Sequence, residues 1–397
     1  MRKRLWLGLV TAAMVALVAA CGGGSSQGGG ATAPGVTSNS IKIGMSSAQT
    51  GIVAASGTLV NAGAKAVFSQ VNASGGVNGR KIDLSVLDDA YQAPRAVANT
   101  RTFMNKPVFA VFGGYGTIPA QAMVPILEQA KIPYVFPYQG NRYPTNKYLY
   151  LLMPIYLDQT QAVIKSALEK YGKGTVYALF GKTADTAQSE KDAQSAVQEA
   201  GGTWLGVDEV SQGTGDYTPY VLRMKQMHPD YLLVSTTPAD SSRYSSAVAA
   251  QDALPAKRIL GLQTVANETF IDAVPQSISD AIYAPAPTKP ASDKASADCT
   301  NAVNKYAPGT KVSMDTLWGC ASAQLFVYAL QKAGTNLTRD GLVKTLEGMK
   351  NANATPLLPP ITFSPSNHVG ERSMYTFTTQ NKKLIAGDTM QVGSQSS

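Results

Sequence analysis

Reactive side chains are scarce in this chain of 397 residues, which has three cysteines and two histidines. That inventory excludes a histidine-rich metal centre. The chain also lacks a Cys-x-x-Cys pair, a His-Glu-x-x-His helix, a strand-to-helix Gly-x-Ser-x-Gly elbow and a Gly-x-x-x-x-Gly-Lys-Ser/Thr phosphate loop. His228 and His368 stand in turn-like contexts, before Pro229 and Gly370, and read as surface residues. Asp88 and Asp89 are adjacent, but neighbours on a strand end face opposite ways and do not readily share a proton or a metal. Charged residues make up 15% of the chain and its formal net charge is +8, with Lys and Arg scattered, so no nucleic-acid surface is indicated. No period of 20 to 50 residues recurs, which excludes a repeat array. No cofactor is called for.

What is present begins at the N-terminus. Arg2, Lys3 and Arg4 precede an apolar run from Leu5 to Ala20, the pattern of a signal peptide over residues 1–20. The run ends in Val18-Ala19-Ala20-Cys21, which resembles a bacterial lipobox. In that reading Cys21 carries the lipid, and residues 21–39, opening with a Gly/Ser tract, form a flexible linker that holds the protein outside the cytoplasm at the membrane. An uncleaved anchor and ordinary signal cleavage are the competing readings. No other stretch approaches eighteen apolar residues. In an oxidising compartment Cys299 and Cys320 are expected to form a disulfide, the alternative being two separate buried thiols.

About 360 residues remain, more than one core usually supports, so two lobes are expected. Short β-rich runs alternate with amphipathic ones. Strands are expected at Ile41–Met45, Ile82–Leu87, Val108–Phe112, Tyr134–Phe136, Thr175–Phe180, Trp204–Glu209, Tyr231–Ser235, Arg258–Gly261 and Ala281–Ala284. Helices are expected between them, near Leu59–Asn72, Pro94–Met104, Pro119–Gln129, Gln159–Tyr171, Thr186–Ala200, Pro219–Met227 and Ser241–Gln251. This alternation specifies an α/β fold with doubly wound parallel sheets, whose ligands bind at the carboxyl ends of the strands. After Ala284 prolines mark a crossing. Helices near 293–306, 315–333 and 339–347 follow, then short strands at Ile361–Phe363, Ser373–Phe377 and Leu384–Met390.

The third strand runs into Gly113-Gly114-Tyr115-Gly116-Thr117-Ile118-Pro119. Pro119 stands where a dinucleotide fingerprint would have its third glycine. The loop still offers close backbone turns, a Thr117 able to cap the helix, and free first-turn N–H groups that attract an oxyanion. Thr117 as a capping residue without a ligand role is the plainer alternative.

Ile41-Lys42-Ile43-Gly44, Gln49-Thr50-Gly51, Ser56-Gly57 and the Asn72-Ala73-Ser74-Gly75-Gly76-Val77-Asn78-Gly79 turn leading to Asp88-Asp89 resemble leucine/isoleucine/valine-type periplasmic binding proteins. The resemblance continues through residues 113–137 and 261–267. It implies the type I periplasmic-binding fold, two lobes joined by three crossing segments. Lobe one would comprise 40–154 plus 285–355, and lobe two 155–284 plus 356–392.

It also implies a ligand site. Thr117 occupies the family's head-group hydroxyl, the Tyr138-to-Gly140 segment matches its next loop, and Ser56 stands where the family has an aromatic residue over the ligand. On lobe two Asp185 and Thr237 fall where tyrosines are frequent. Gln263 stands where amino-acid binders carry a glutamate for the ligand's ammonium, and a neutral amide cannot replace that charge. Asp185 supplying the charge, a ligand without an ammonium, and a Gln263 that merely supports its neighbours all remain open. Tyr115 and Tyr138 could pack on an apolar ligand or serve as surface or hinge tyrosines. The resemblance therefore implies a monomeric, non-enzymatic solute receptor with a small-molecule ligand and ABC permease subunits as partners. A sensory receptor module is the competing function.

Overall fold

The structure is a computed structural model and describes residues 33–141, 146–182 and 186–393. Signal peptide, Cys21, most of the linker and Asp185 lie outside the described residues. No helix among the described residues is long and apolar enough to cross a membrane.

The first sheet holds β1 (Ser40–Ser47), β2 (Lys81–Asp88), β3 (Ala110–Phe112), β4 (Tyr134–Val135) and β5 (Leu149–Tyr150), all parallel in the order β2-β1-β3-β4-β5. Helices α1 (Ala54–Ala73), α2 (Ala93–Asn105) and α3 (Thr117–Gln129) connect the first four strands. Ile41, Ile43 and Met45 alternate along β1 and are fully buried, while Ser40 and Lys42 are not, the period-two signature of a sheet face.

From β5 the chain passes to the second sheet through α4 (Tyr156–Tyr171). There β6 (Thr175–Gly181), α5 (Thr186–Glu199), β7 (Thr203–Val210), α6 (Thr218–Gln226), β8 (Tyr231–Ser235), α7 (Pro238–Ala250), β9 (Arg258–Gly261), α8 (Glu268–Ala273), α9 (Gln276–Ala281) and β10 (Ile282–Ala286) follow. The order is β7-β6-β8-β9-β10, all parallel. The chain then returns to the first sheet as α10 (Ala297–Tyr306), α11 (Met314–Ala333) and α12 (Arg339–Glu347). It finally crosses back to add β11 (Ser373–Gln380) and β12 (Lys383–Gln391) antiparallel on β10.

Each sheet has its own core. Phe68, Phe112 and Phe326 form a ring cluster beside the first sheet, with Phe68–Phe112 and Phe112–Phe326 centroids 5.2 and 5.3 Å apart. Cys299 and Cys320 are disulfide-bonded there, tying α10 to α11. α11 is buried along almost its whole length and meets α1 closely. A Cβ on Gly63 would lie 2.0 Å from the Thr316 carbonyl oxygen, and one on Gly319 2.0 Å from that of Val60. Leu179, Leu232, Val234 and Ile259 anchor the core on one face of the second sheet.

The crossing segments are bonded to one another. Leu151 N–H donates to the His368 carbonyl (2.9 Å), Gly370 N–H to Leu151 (2.9 Å) and Glu371 N–H to Leu152 (2.9 Å). Lys289 N–H donates to Leu357 (3.2 Å).

Three expectations need correction. Ile361–Phe363 is not a strand: it makes one bridge, to Ala352, and its apolar side chains serve packing, Phe363 lying 5.4 Å from Tyr150 and 6.1 Å from Phe136. His368 is half-buried rather than on the surface, stacked on Tyr150 at 4.1 Å with its Nδ1 2.9 Å from the Asn146 carbonyl. Thr117 does not cap α3; it is the first helical residue, and Gly116 at φ 125° precedes it with no side-chain cap.

Candidate functional site

The loops that leave the carboxyl ends of the parallel strands of both sheets converge on one cavity of about 750 Å³. The first sheet contributes Tyr115, Gly116 and Thr117 after β3, and Tyr138, Gly140 and Asn141 after β4. Facing them stand Gly181 and Lys182 at the end of β6, Thr236 and Thr237 after β8, and Leu262 and Thr264 after β9. This is where open α/β sheets place ligands, because connecting loops rather than sheet faces are free to diverge there.

One wall is aromatic. Tyr115 and Tyr138 stack with centroids 4.9 Å apart and planes 16° from parallel, and Trp318 of α11 meets Tyr138 edge-on at 5.1 Å. Tyr91, from the loop after β2, and Tyr156, at the start of α4, complete it. Both are seated on glycines: a Cβ on Gly116 would lie 2.4 Å from Tyr91 Cε2, and one on Gly140 2.5 Å from Tyr156 Cδ1. Burial raises the phenol pKa of all four, so they are neutral hydrogen-bonding groups at physiological pH.

The residues singled out in the sequence fall in different places. Tyr115, Thr117, Tyr138, Gly140 and Thr237 all line the cavity. Thr117 Oγ1 lies 3.2 Å from the Tyr156 hydroxyl. Gly140 contributes its carbonyl, which accepts the Tyr156 N–H at 2.6 Å. Thr237 caps α7, its hydroxyl oxygen accepting from Asp240 N–H at 3.3 Å. Gln263 lies one layer behind the cavity, 1% exposed, its backbone N–H donating to Gln159 Oε1 at 3.3 Å. Its side-chain amide faces the Tyr156 hydroxyl, yet neither amide atom has a hydrogen bond of normal geometry. Ser56 is away from this cavity. It interacts with the Tyr115 hydroxyl and the Asp315 carboxyl, and borders a second opening of about 650 Å³ near α6 and α7.

Sequence reasoning missed Tyr91, Asn141, Tyr156, Thr236 and Thr264. The last two carry buried hydroxyl oxygens without a partner, as does Nδ2 of Asn141. Orphaned polar atoms at a cavity wall are groups a ligand can satisfy, since leaving them unpaired costs free energy. Charge is sparse: among the described residues Lys182 and Asp192 are the ionic side chains lining the cavity, and Asp192 accepts from Gln188 Nε2 at 2.9 Å. No group of three or more His, Cys, Asp or Glu residues able to hold a metal occurs among the described residues.

The Asp88-Asp89 pair shapes the loop below Tyr91. Asp88 accepts from Gln49 N–H (2.8 Å), Ala90 N–H (2.9 Å) and Thr50 Oγ1 (2.7 Å). Burial opposes its ionisation, but these bonds prevail and hold it well below the usual carboxylate range. Asp89, fully buried, accepts from Ser46 Oγ (2.7 Å) and Tyr91 N–H (2.9 Å), and burial pushes its pKa up. Ala90 and Tyr91 both adopt left-handed backbone, φ 49° and 62°, a costly arrangement for two consecutive non-glycine residues.

Two further carboxyls are buried behind the aromatic wall. Asp315 is pushed up to about 6 by burial, with the Ser56 hydroxyl a partial offset. Burial raises Glu371, in the third crossing, well above its ordinary value. Neither has a hydrogen bond of normal geometry.

Comparison with known proteins agrees with this architecture. The chain is 26% identical over 194 residues to the leucine-, isoleucine-, valine-, threonine- and alanine-binding protein of Pseudomonas aeruginosa, covering 48% of this chain and 52% of that protein. It thus spans about half the length of that curated relative. It is 24% identical over 350 residues to the Leu/Ile/Val-binding protein homolog 2 of Brucella abortus, covering 85% and 86%. In structure it resembles the fatty acid ABC transporter substrate-binding protein from Thermomonospora curvata, with a TM-score of 0.81, 21% identity and 93% and 96% of the two chains covered. Residues 40–383 match the family model described as periplasmic binding protein, and the chain belongs to that family.

Proposed function

We propose that the chain is an extracytoplasmic solute-binding lipoprotein of an ABC importer, which captures a small organic molecule between two lobes and presents it to membrane permease subunits. The observation that carries this reading is the cavity itself: strand-end loops of both sheets build it, so a ligand inside bridges them and favours their approach.

The lobes divide at 40–154 plus 285–355 and 155–284 plus 356–392, with residues 357–363 packed along the first core before the chain enters the second sheet. The bonded crossing segments act as the hinge. Cys21 carries the lipid anchor, and the receptor acts as a monomer without a catalytic role; ATP is hydrolysed on other subunits. Ser56, Tyr115, Thr117, Tyr138, Gly140, Asp185, Thr237 and Gln263 form or support the ligand site, joined by Tyr91, Asn141, Tyr156, Thr236 and Thr264.

The ligand is an amino acid or a related carboxylate, the alternative being a carboxylate or amide without an ammonium group. The neutral Gln263 lies behind the cavity wall and supports the alternative only through Tyr156, which it faces. Carboxylic acids and amides with an apolar body fit the aromatic wall and the orphaned hydroxyls.

Thermal-shift screening of the purified protein with amino acids, organic acids and amides tests the binding function, because a tight ligand stabilises the folded state by mass action. Absence of stabilisation by every compound would sink it. Unchanged uptake of the labelled ligand in a deletion strain would count against transport.

A further inference from the structure

The Thr237 hydroxyl, a ligand contact expected from the sequence, is already committed within the protein. Its Oγ1 donates to Asp240 Oδ2 at 2.9 Å and accepts the Asp240 N–H at 3.3 Å. Asp240, 2% exposed, also takes the Tyr217 hydroxyl at 2.8 Å and the Gly213 N–H at 3.1 Å, so both of its oxygens are in use. Three other polar groups on the same wall are not committed in this way: the hydroxyls of Thr236 and Thr264, which have no partner, and the ammonium of Lys182.

The sheet sets their placement. β6 pairs with β8 through Phe180 and Ser235, and β8 with β9 through Val234 and Gly261, so Lys182, Thr236 and Thr264 follow the ends of three adjacent strands. The Lys182 backbone is fixed: its N–H donates to the Val210 carbonyl at 2.7 Å, carrying the β6–β7 ladder one residue beyond Gly181. A Cβ on Gly181 would lie 3.1 Å from Thr236 Oγ1, so that hydroxyl stands beside the space the glycine leaves. The Lys182 side chain is exposed and lines the cavity, and among the described residues no carboxylate forms an ion pair with it. Asp192, the other ionic side chain there, is held by Gln188 Nε2 at 2.9 Å.

Building on the solute-receptor reading, we propose that Lys182 is a specificity-determining residue. It receives the ligand's carboxylate at the strand ends of lobe two, beside the Thr236 and Thr264 hydroxyls, while the ligand's apolar body lies on the tyrosine wall of lobe one. An ionised carboxylate only accepts hydrogen bonds, and an ammonium flanked by two hydroxyls offers it donors. A bond between ionised partners is about twice as strong as one between neutral groups. A carboxamide can meet the hydroxyls but not the charge, so the cleft favours an acid over its amide. The described lining residues of lobe one carry no charge at all, and its tyrosines are neutral. The two lobes therefore divide the ligand between them, head group to one and body to the other.

Matched acid and amide pairs test this, benzoate with benzamide, 4-methylpentanoate with 4-methylpentanamide and leucine with leucinamide, titrated calorimetrically into the wild type, Lys182→Met, Lys182→Arg and Lys191→Met. Lys182 is exposed, so methionine there should leave the melting temperature unchanged, which checks folding. The wild type is expected to bind the acid of a pair at least about tenfold more tightly than its amide, the worth of one hydrogen bond to a charged group. K182M should lose about tenfold for the acid and leave the amide within about threefold, while K182R, which restores the charge, recovers most of the acid affinity. Lys191, on α5 and outside the cavity lining, controls for the overall field, and K191M should change acid binding less than about twofold. Acid binding that K182M leaves unmoved would place the carboxylate elsewhere, such as the start of α3. That result, an equal loss in K191M, or a wild type that prefers the amide would overturn the proposal and leave the receptor function standing. So would a panel in which only compounds without a carboxylate bind. If the wild type bound no member of the pairs or of the wider panel, the receptor reading would fall and this proposal with it.

Discussion

Tyr138 stacks face to face on Tyr115 at 4.9 Å while its ring also receives the edge of Trp318 at 5.1 Å, so one side chain joins the cavity wall to the core beneath α11. Tyr138→Ala should therefore lose both core packing and ligand contact. A destabilisation of roughly 3–5 kcal/mol, the usual cost of deleting a large buried aromatic, is expected in chemical denaturation. Tyr138→Phe, which keeps the ring, should cost less than about 1.5 kcal/mol. Equal losses in the two variants would show that the hydroxyl, not the stacking, matters.

Asp315 gives the fold a pH dependence of definite sign. Its pKa is pushed up to about 6 in the folded protein by burial, against about 3.9 in an unfolded chain. Between those values the folded state holds a proton that the unfolded state has released, so stability falls as pH rises from about 4 to 6 and stays lower above. The cost at neutral pH is on the order of 3 kcal/mol. Asp315→Asn should flatten that slope and raise the melting temperature at pH 8 by a few degrees. A slope identical to wild type would assign the proton to another group.

Reduction of the Cys299–Cys320 bridge releases a link between residues 21 apart in sequence. Loop-closure entropy alone makes this worth about 3 kcal/mol. A thermal melt with and without reductant, and of a Cys299→Ser/Cys320→Ser double variant, should show the same decrease.

At Gln263 a carboxylate would be buried beside the Tyr156 hydroxyl without a cation. Gln263→Glu should destabilise the free protein at pH 7 by on the order of 1–3 kcal/mol. It should also create an enhanced thermal shift with leucine or valine, whose ammonium can pair with it. No amino-acid-dependent gain in the variant would show that a charge placed behind Tyr156 does not reach the ligand.

Most of the fold was legible from periodicity, since β8, β9 and α12 coincide with their expected limits and the remaining long elements differ by a few residues at their ends. What was missed is short. β5 pairs through two residues, and α8 and α9 have six each, too few for a repeat to register. Ile361–Phe363 misled because apolar content reports burial, not pairing. Five of the expected site residues line the cavity because they follow strands whose ends were readable. Tyr91 and Tyr156 escaped notice because tyrosine in a loop or at a helix start carries no pattern. The available signal was indirect, namely glycine at 116 and 140, positions whose vacancy becomes meaningful only when the facing ring is known.

Those two glycines make the binding wall unusually easy to retune. A Cβ at 116 or 140 would lie 2.4 or 2.5 Å from the facing ring, so an alanine at 140 would push Tyr156 off its seat, and one at 116 would move Tyr91 and also strain a backbone at φ 125°. Cargo preference in such a receptor can therefore shift through a change that leaves every ligand-facing side chain identical, and receptors sorted by those side chains alone would be misassigned.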